Sequence, residues 1–290
     1  MSPDLPTHCF TVDGDVVVPT ALAGGPWSPD AMHGSPPAAI LARYLERHDV
    51  GTATFPVRFT VELMRPVPLR PLQVRCETVR AGRKLQLLQG SLFDGDLEVC
   101  RAMLLRFRET PVAGRSHAGV RHIEPIERPD TYVPLVPALA FGERIGFWNA
   151  MDVARIEPRG QVPGPSGLWL RLRLPLVAGE QPTPFQRVAA AADFGNAIAT
   201  AYGSERFACI NADLTITLHR LPEGECDAAP AQRYVGQKAD STVVQAALTA
   251  TKAKQVRVIK PDMMITMDFR GDRLNVRVDD DGKISAITCG

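Results

Sequence analysis

Two of the six cysteines stand where a disulfide would stabilise a small domain. Cys226 and Cys289 lie near the two ends of the last 65 residues. A bond between them would close nearly this whole stretch into one loop and stabilise it by roughly 4 kcal/mol, because it restricts the unfolded chain. The other four lie on strand-like segments without the spacing of metal ligands, which predicts small core residues and no metal site: Cys9, Cys76, Cys100 and Cys209.

A methionine-rich segment lies inside the same stretch. Residues 254–260 alternate as a strand, Pro261 and Asp262 end it, and residues 262–270 read DMMITMDFR. Three methionines and an isoleucine are unusual in a turn that faces water. The pattern leaves two interpretations open, a loop with a function or a further core strand.

The composition of the chain changes abruptly at residues 219–226. Before Cys226 there is one lysine, Lys84, against 22 arginines, and from Cys226 onward there are five of each. The part before Cys226 has a net charge near −1 and the part after it near +2. This shift predicts a domain boundary. The total charge of +1 gives no electrostatic case for nucleic acid or a membrane surface as partner.

The first hundred residues predict one helix among antiparallel strands. Residues 10–19 read as a strand with a turn in its middle, and a helix with an apolar face follows and ends at Arg47. Ser35 is placed to cap this helix, and Pro36 suits its first turn. Four further strands are predicted, at residues 54–64, 72–80, 84–93 and 98–108.

A second round of the same order follows an aperiodic connector at residues 109–140. Thr183 and Pro184 repeat the cap-and-proline start of a helix. The predicted elements are strands at residues 143–156 and 168–174, a helix at residues 185–202 and a strand at residues 211–219. Where the first half has three more strands, the sequence changes at Cys226.

These two rounds resemble the double-hotdog acyl-CoA thioesterases related to bacterial acyl-CoA thioesterase II. The resemblance is carried by residues 25–45, by AADFGN at residues 191–196 and by NADLTITLHR at residues 211–220. It implies an α+β double hotdog, in which an antiparallel sheet wraps round a central helix and the second repeat is incomplete. The expected domains are a first repeat at residues 1–112, a connector with the truncated second repeat at residues 113–225, and the tail at residues 226–290.

The resemblance implies a candidate site for an acyl-CoA thioester and no cofactor. Asp193 falls on the catalytic aspartate, which would activate water for attack on the thioester carbonyl. Asn211 falls on the residue that positions this water. His33 and Gly34 lie where the acyl or pantetheine group would pass, with a surface residue beside a helix cap as the alternative interpretation of His33.

One part of the family's site is missing from this sequence. The family's glutamine lies on the last strand of the second hotdog, which is absent here. Without that strand, Asp193 has the alternative interpretation of a helix aspartate with no reaction to catalyse. The loss also predicts an unpaired sheet edge along residues 211–218, through which two copies of the chain could associate.

The tail resembles the potato inhibitor I family of serine-protease inhibitors, closest to the microbial elastase inhibitors that carry a cysteine at each end. A helix from Asp240 or Ser241 and a small sheet predict an α/β domain. The matching motifs are VGQ at residues 235–237, RVIKP at 257–261, ITMDFR at 265–270, DRLNV at 272–276 and CG at 289–290.

By this resemblance, Met267 is the primary specificity residue and Met267–Asp268 the reactive bond. The partner would be a serine protease with an apolar primary pocket. Asn275 departs from the family, which has a second arginine there. The residues that would support the reactive loop are Ile265, Thr266, Arg273 and Asn275.

Two hypotheses of function follow. The first is a thioesterase-like, acyl-CoA-binding body that carries a serine-protease inhibitor. The alternative is an acyl-CoA hydrolase with Asp193 as general base and the tail as an appendage. The start of the chain lacks the features of a signal peptide, which predicts the cytoplasm. Inhibitors of this kind usually work elsewhere, and a reducing cytosol disfavours the disulfide.

Overall fold

The structure, a computed structural model, divides by its contacts into two compact units, Met1–Arg220 and Leu221–Gly290. The described residues are 5–49, 54–108, 132–135, 144–155, 167–195, 210–219, 221, 226, 228–261, 263 and 273–289.

An antiparallel sheet forms most of the first unit. In the part of the chain that the structure describes, seven of its strands are joined in the order β1-β2-β4-β5-β6-β3-β10. A separate small sheet has the order β7-β8-β9. The strands are β1 (Phe10–Asp13), β2 (Val16–Pro19), β3 (Thr54–Glu62), β4 (Leu72–Ala81), β5 (Leu85–Asp94), β6 (Leu97–Arg108), β7 (Val133–Pro134), β8 (Met151–Arg155), β9 (Leu168–Leu172) and β10 (Asp213–Thr217).

The central helix α1 (Ser35–Arg47) packs on this sheet through a buried apolar face. Leu45 approaches β5 closely because Gly90 has no side chain, and a Cβ there would lie 3.1 Å from Leu45 Cγ. The prediction that Ser35 caps the helix is wrong. Gly34 is the N-cap residue, Ser35 is the first helical residue, and its amide donates to Nδ1 of His33 at 3.2 Å. An imidazole nitrogen therefore accepts where a hydroxyl was expected.

The second round of elements begins differently from the prediction. Instead of a strand across residues 143–156, a short 3₁₀ helix (Phe147–Ala150) precedes β8. The side chain of Asn149 accepts from the amide of Gly146 at 2.9 Å and closes this turn, so the rings of Phe147 and Trp148 are buried.

Helix α2 (Pro184–Ala191) begins as predicted. The hydroxyl of Thr183 accepts from the amide of Gln186 at 3.2 Å. A 3₁₀ turn (Ala192–Phe194) follows, and the predicted extension beyond Gly195 lies outside the described residues.

Charged side chains join α1 to the start of α2. Arg43 and Arg47 both donate to Glu180, with Arg43 Nε 2.7 Å from Oε2. One helical turn away, Glu46 accepts from the Thr183 hydroxyl and from Nε2 of Gln186, each at 2.8 Å. These contacts fix the two helices against each other.

Strand β10 pairs with β3 and ends the large sheet. Leu214 lies opposite Val61, and no strand of the described residues pairs with the other side of β10. The second repeat thus adds its strand to the sheet of the first.

The described residues of the second unit form a 3₁₀ helix (Ala229–Tyr234), one α-helix and three strands. Helix α3 (Ser241–Ala250) is capped by Asp240, which accepts from the amide of Val243 at 2.9 Å. Strand β11 (Gln255–Ile259) pairs in parallel with β12 (Arg273–Val278), which pairs antiparallel with β13 (Ile284–Cys289).

The predicted disulfide between Cys226 and Cys289 is confirmed, with Cα atoms 5.6 Å apart. It borders a small core, as expected for a unit with little apolar surface to bury. The residues of this core are Ala228, Ala231, Ala247, Leu274, Val276, Ile284 and Ile287.

None of the described helices of the chain combines the length and hydropathy that crossing a bilayer requires.

The Glu180 cluster should make the first unit sensitive to acid. Hydrogen bonds from Arg43, and then Arg47, lower the pKa of Glu180 from 4.5 to about 2. Its stabilising contribution is therefore present above pH 4.5 and lost as the pH falls towards 2. We expect Glu180→Gln to lower the free energy of unfolding at pH 7 by roughly 1–2 kcal/mol, because solvent screens this partly exposed cluster, and to flatten its decline below pH 4.5.

Urea unfolding followed by tryptophan fluorescence measures this, because every tryptophan precedes Cys226. Asp94→Asn removes an exposed pair with Arg70 and serves as the control with little effect. If the free energy of unfolding of Glu180→Gln depended on pH as it does in the parent chain, Glu180 would not be the source of the acid sensitivity.

Candidate functional site

The carboxylate of Asp193 stands at the meeting point of three segments. Asp193 lies in the 3₁₀ turn after α2, and its Oδ1 accepts from Nδ2 of Asn211 at 2.7 Å. Its Oδ2 lies 3.0 Å from Nδ1 of His33, and both side chains are 11% exposed. The structure therefore brings together Asp193, Asn211, His33 and Gly34, which are far apart in the sequence.

Backbone pairing holds the two outer segments in place. Asn211 lies two residues before β10, and the amide of Leu63 donates to the carbonyl of Ala212 at 2.9 Å. On the other side, the amide of His33 donates to the carbonyl of Ala23 at 3.0 Å. The site is thus built between the edge strand and the start of α1.

Gly34 makes room for the carboxylate. A Cβ at this position would lie 2.6 Å from Oδ2 and 2.8 Å from Cγ of Asp193, and 2.9 Å from Leu63. Any side chain here would displace Asp193, so the site requires glycine at this position for a steric reason.

The ring of His33 is enclosed by aromatic residues. It stacks on Phe194 at a centroid distance of 4.7 Å and lies 5.7 Å from Phe147. Burial lowers the pKa of His33 below 6.5, while the Asp193 carboxylate acts in the opposite direction. His33 is therefore neutral at pH 7, and it is not the surface residue of the alternative interpretation.

Nδ1 of His33 faces two groups at once. The amide of Ser35 donates to it at 3.2 Å, which requires its lone pair, whereas a hydrogen bond to Asp193 would require a proton on it. Only one of these bonds exists at a time, so the tautomer of His33 decides whether Oδ2 of Asp193 receives a hydrogen bond. Oδ1 of Asp193 accepts a hydrogen bond from the Asn211 amide, and Oδ2 receives one only in one tautomer of His33. In the other tautomer, Oδ2 can accept a proton from water.

Two of the predicted loop-support residues lie side by side in the second unit. Arg273 and Asn275 are on β12 and are 6% and 7% exposed. The predicted reactive-loop residues lie outside the described residues: Ile265, Thr266, Met267 and Asp268.

Arg257 is the residue that the sequence analysis missed. It lies directly opposite Asn275 in the parallel pair β11–β12, and its Nε donates to Oδ1 of Asn275 at 2.9 Å. A guanidinium thus stands beside the position where the family's second arginine is replaced by Asn275. Placing the two strands in register would have revealed it, because Arg257 and Asn275 are then neighbours.

Removing the charge of Asp193 should change the titration of His33. The carboxylate raises the pKa of His33 against the effect of burial, so Asp193→Asn should lower that pKa further. NMR of the His33 ring across pH 4–8 measures this shift. Asp213→Asn, which removes an exposed carboxylate on β10, is the control that leaves it unchanged. A rise in the pKa of His33 in Asp193→Asn would contradict the geometry.

Three domain families match successive and partly overlapping parts of the chain. Residues 23–107 match the acyl-CoA thioesterase N-terminal domain, and residues 127–254 match the acyl-CoA thioesterase C-terminal domain. Residues 226–290 match the peptidase inhibitor I78 family. The last two overlap at residues 226–254, which pack into the core of the second unit and therefore belong to it.

Solved structures show the same fold for the first unit. A hotdog-fold protein of unknown function from Alicyclobacillus acidocaldarius is 18% identical, with a TM-score of 0.51, over 74% of this chain and 77% of its own. A candidate thioesterase II from Thermobifida fusca is 19% identical, with a TM-score of 0.52, over 75% of this chain and 82% of its own.

The elastase inhibitor AFUEI is 30% identical over 21% of this chain and 82% of its own, with a TM-score of 0.18. The sequence matches none of the curated proteins with which it was compared. The family matches confirm both resemblances found in the sequence, and the hotdog neighbours confirm the α+β class.

Proposed function

Because the chain consists of acyl-CoA thioesterase domains followed by a domain of the peptidase inhibitor I78 family, we propose that it binds acyl-CoA thioesters and inhibits a serine protease. The inhibitory function is supported by one observation: the second unit is closed by a disulfide, and Arg273 and Asn275 are both buried in it on β12. The reactive bond would be Met267–Asp268.

The strands on either side of the reactive segment support this proposal. Residues 260–272 join the end of β11 to the start of β12, two parallel neighbours. Both junctions are buried, since Ile259 is 4% and Arg273 6% exposed. The two ends of the segment are therefore anchored, and a segment that is also held in its bound conformation would lose little entropy on entering a protease cleft.

The target would have an apolar primary pocket. Met267 is unbranched and uncharged, so it suits a hydrophobic pocket better than one with a buried carboxylate. An extended segment in the cleft would also add main-chain hydrogen bonds as an extra strand.

The second candidate function is hydrolysis of the bound thioester. The contacts of Asp193 with Asn211 and His33 favour it, because they hold a carboxylate beside a buried, neutral imidazole. Water would attack the thioester carbonyl while Asp193 takes its proton, and the thiol would leave with that proton. Oδ1 of Asn211 can accept the other hydrogen of the water, since Nδ2 is bonded to Asp193. Turnover is expected to be slow, because the family's glutamine has no counterpart here.

Exchanging Met267 should change which protease is inhibited. We expect the full chain to inhibit chymotrypsin-, elastase- or subtilisin-like enzymes more strongly than trypsin, and Met267→Lys to reverse this order. Inhibition constants for the two enzyme classes measure the change. Met263→Lys, which changes an exposed methionine four residues before Met267 in the same segment, is the control that keeps the original order. Stronger inhibition of trypsin by the parent chain would contradict Met267 as primary residue.

Removing Arg273 should turn the inhibitor into a substrate. A hydrogen bond from a charged group contributes about 1.5–3 kcal/mol, so Arg273→Ala should weaken inhibition by roughly 10- to 100-fold. Mass spectrometry should then show slow cleavage between Met267 and Asp268. Arg277→Ala, an exposed arginine on the same strand, should behave like the parent. Tight inhibition by an uncut Arg273→Ala chain would rule out this supporting role.

A further inference from the structure

The hydroxyl of Ser35 is buried without a hydrogen-bond partner among the described residues. Ser35 is 0% exposed, and its Oγ is the one buried side-chain polar atom of these residues that lacks a partner. An unpaired buried hydroxyl destabilises the folded state. Such a group in a folded protein calls for an explanation, and one explanation is a partner that arrives with a ligand.

The backbone of Ser35 borders the Asp193 site. Its amide donates to Nδ1 of His33 at 3.2 Å, and that nitrogen lies 3.0 Å from Oδ2 of Asp193. The residue before it is Gly34, where an added Cβ would lie 2.6 Å from Oδ2 of the same carboxylate. The orphan hydroxyl therefore lies on the residue that connects the site to α1.

The first turn of α1 offers few other donors. A helix normally presents several free amides at its start, and these can polarise a carbonyl oxygen. Here Pro36 and Pro37 have no N–H group, the amide of Ser35 is bonded to His33, and that of Ala38 donates to the carbonyl of Gly34 at 3.3 Å. From Ser35 to Ala38, the Ser35 hydroxyl is the donor that remains for a ligand.

We propose that the Ser35 hydroxyl donates a hydrogen bond to the carbonyl oxygen of the bound thioester, which rests on the acyl-CoA function proposed above. As water attacks the carbonyl carbon, its proton passes to Asp193 and negative charge develops on the carbonyl oxygen. The C–S bond then breaks, its electron pair stays on the sulfur of CoA, and Asp193 returns the proton to that sulfur. Ser35 keeps its own proton throughout and stabilises the charge on the oxygen.

Two non-hydrolysable CoA ligands separate this role from general binding. One is a ketone in which a methylene group replaces the thioester sulfur, so the carbonyl oxygen is kept. The other is an alkyl thioether of equal chain length, which has no carbonyl oxygen. Calorimetric titration of the full chain with each ligand gives the ratio of the two dissociation constants.

Ser35→Ala should weaken binding of the ketone by about tenfold and leave binding of the thioether unchanged. The variant should unfold at the same temperature as the parent or higher, because it loses a buried hydroxyl without a partner. Ser91→Ala is the matched control. Ser91 is 3% exposed on β5 and its hydroxyl is hydrogen-bonded to Glu98, so this variant should lower the unfolding temperature and leave both affinities unchanged.

An unchanged ratio in Ser35→Ala, or an equal loss for both ligands, would overturn the role of the hydroxyl while leaving acyl-CoA binding intact. If the parent chain bound neither ligand, the acyl-CoA function itself would fail and the role of Ser35 with it.

Discussion

The close approach of the Asp193 carboxylate to Gly34 is the steric constraint on which the geometry of the candidate site depends. It joins the turn after α2 to the start of α1, where a Cβ would lie 2.6 Å from the carboxylate oxygen. Gly34 at the start of α1 and the short side chain of Asp193 in the second repeat are therefore required together. His33 and Asn211 then have fixed positions on either side of the carboxylate.

A second carboxylate, that of Glu46, joins the same two helices at their other ends and differs from Asp193 in its hydrogen bonds. Glu46, near the end of α1, meets the start of α2 and accepts from Thr183 and Gln186. Burial raises the pKa of Glu46, while these hydrogen bonds act against the shift. Negative charge near a helix N-terminus is favourable at both places. Glu46 accepts from both Thr183 and Gln186, whereas among the described residues Oδ2 of Asp193 has a donor only when His33 carries its proton on Nδ1.

Periodicity and turn residues were sufficient to predict α1, β3 to β6 and the start of α2. These elements have regular apolar faces, and Thr183 with Pro184 forms a strong start signal. The disulfide could be predicted because two cysteines bracket a stretch that is too short to fold on its apolar core alone.

The features that the sequence did not reveal depend on contacts between distant residues. Asn149 folds its segment into a 3₁₀ turn by accepting from Gly146, where apolar pattern alone suggested a strand. The amide of Ser35 donates to His33, and the Ser35 hydroxyl has no hydrogen-bond partner among the described residues, which local capping rules do not anticipate. Arg257 gained meaning only from its register with Asn275. In each case the outcome depends on a specific side-chain hydrogen bond that the local sequence pattern does not encode.

The most direct test of the account is steady-state hydrolysis of medium-chain acyl-CoA by the full chain, by Asp193→Asn and by Asp213→Asn. The account predicts slow turnover that Asp193→Asn abolishes and Asp213→Asn, which alters an exposed carboxylate on β10, leaves in place. Robust turnover that survives Asp193→Asn would contradict it.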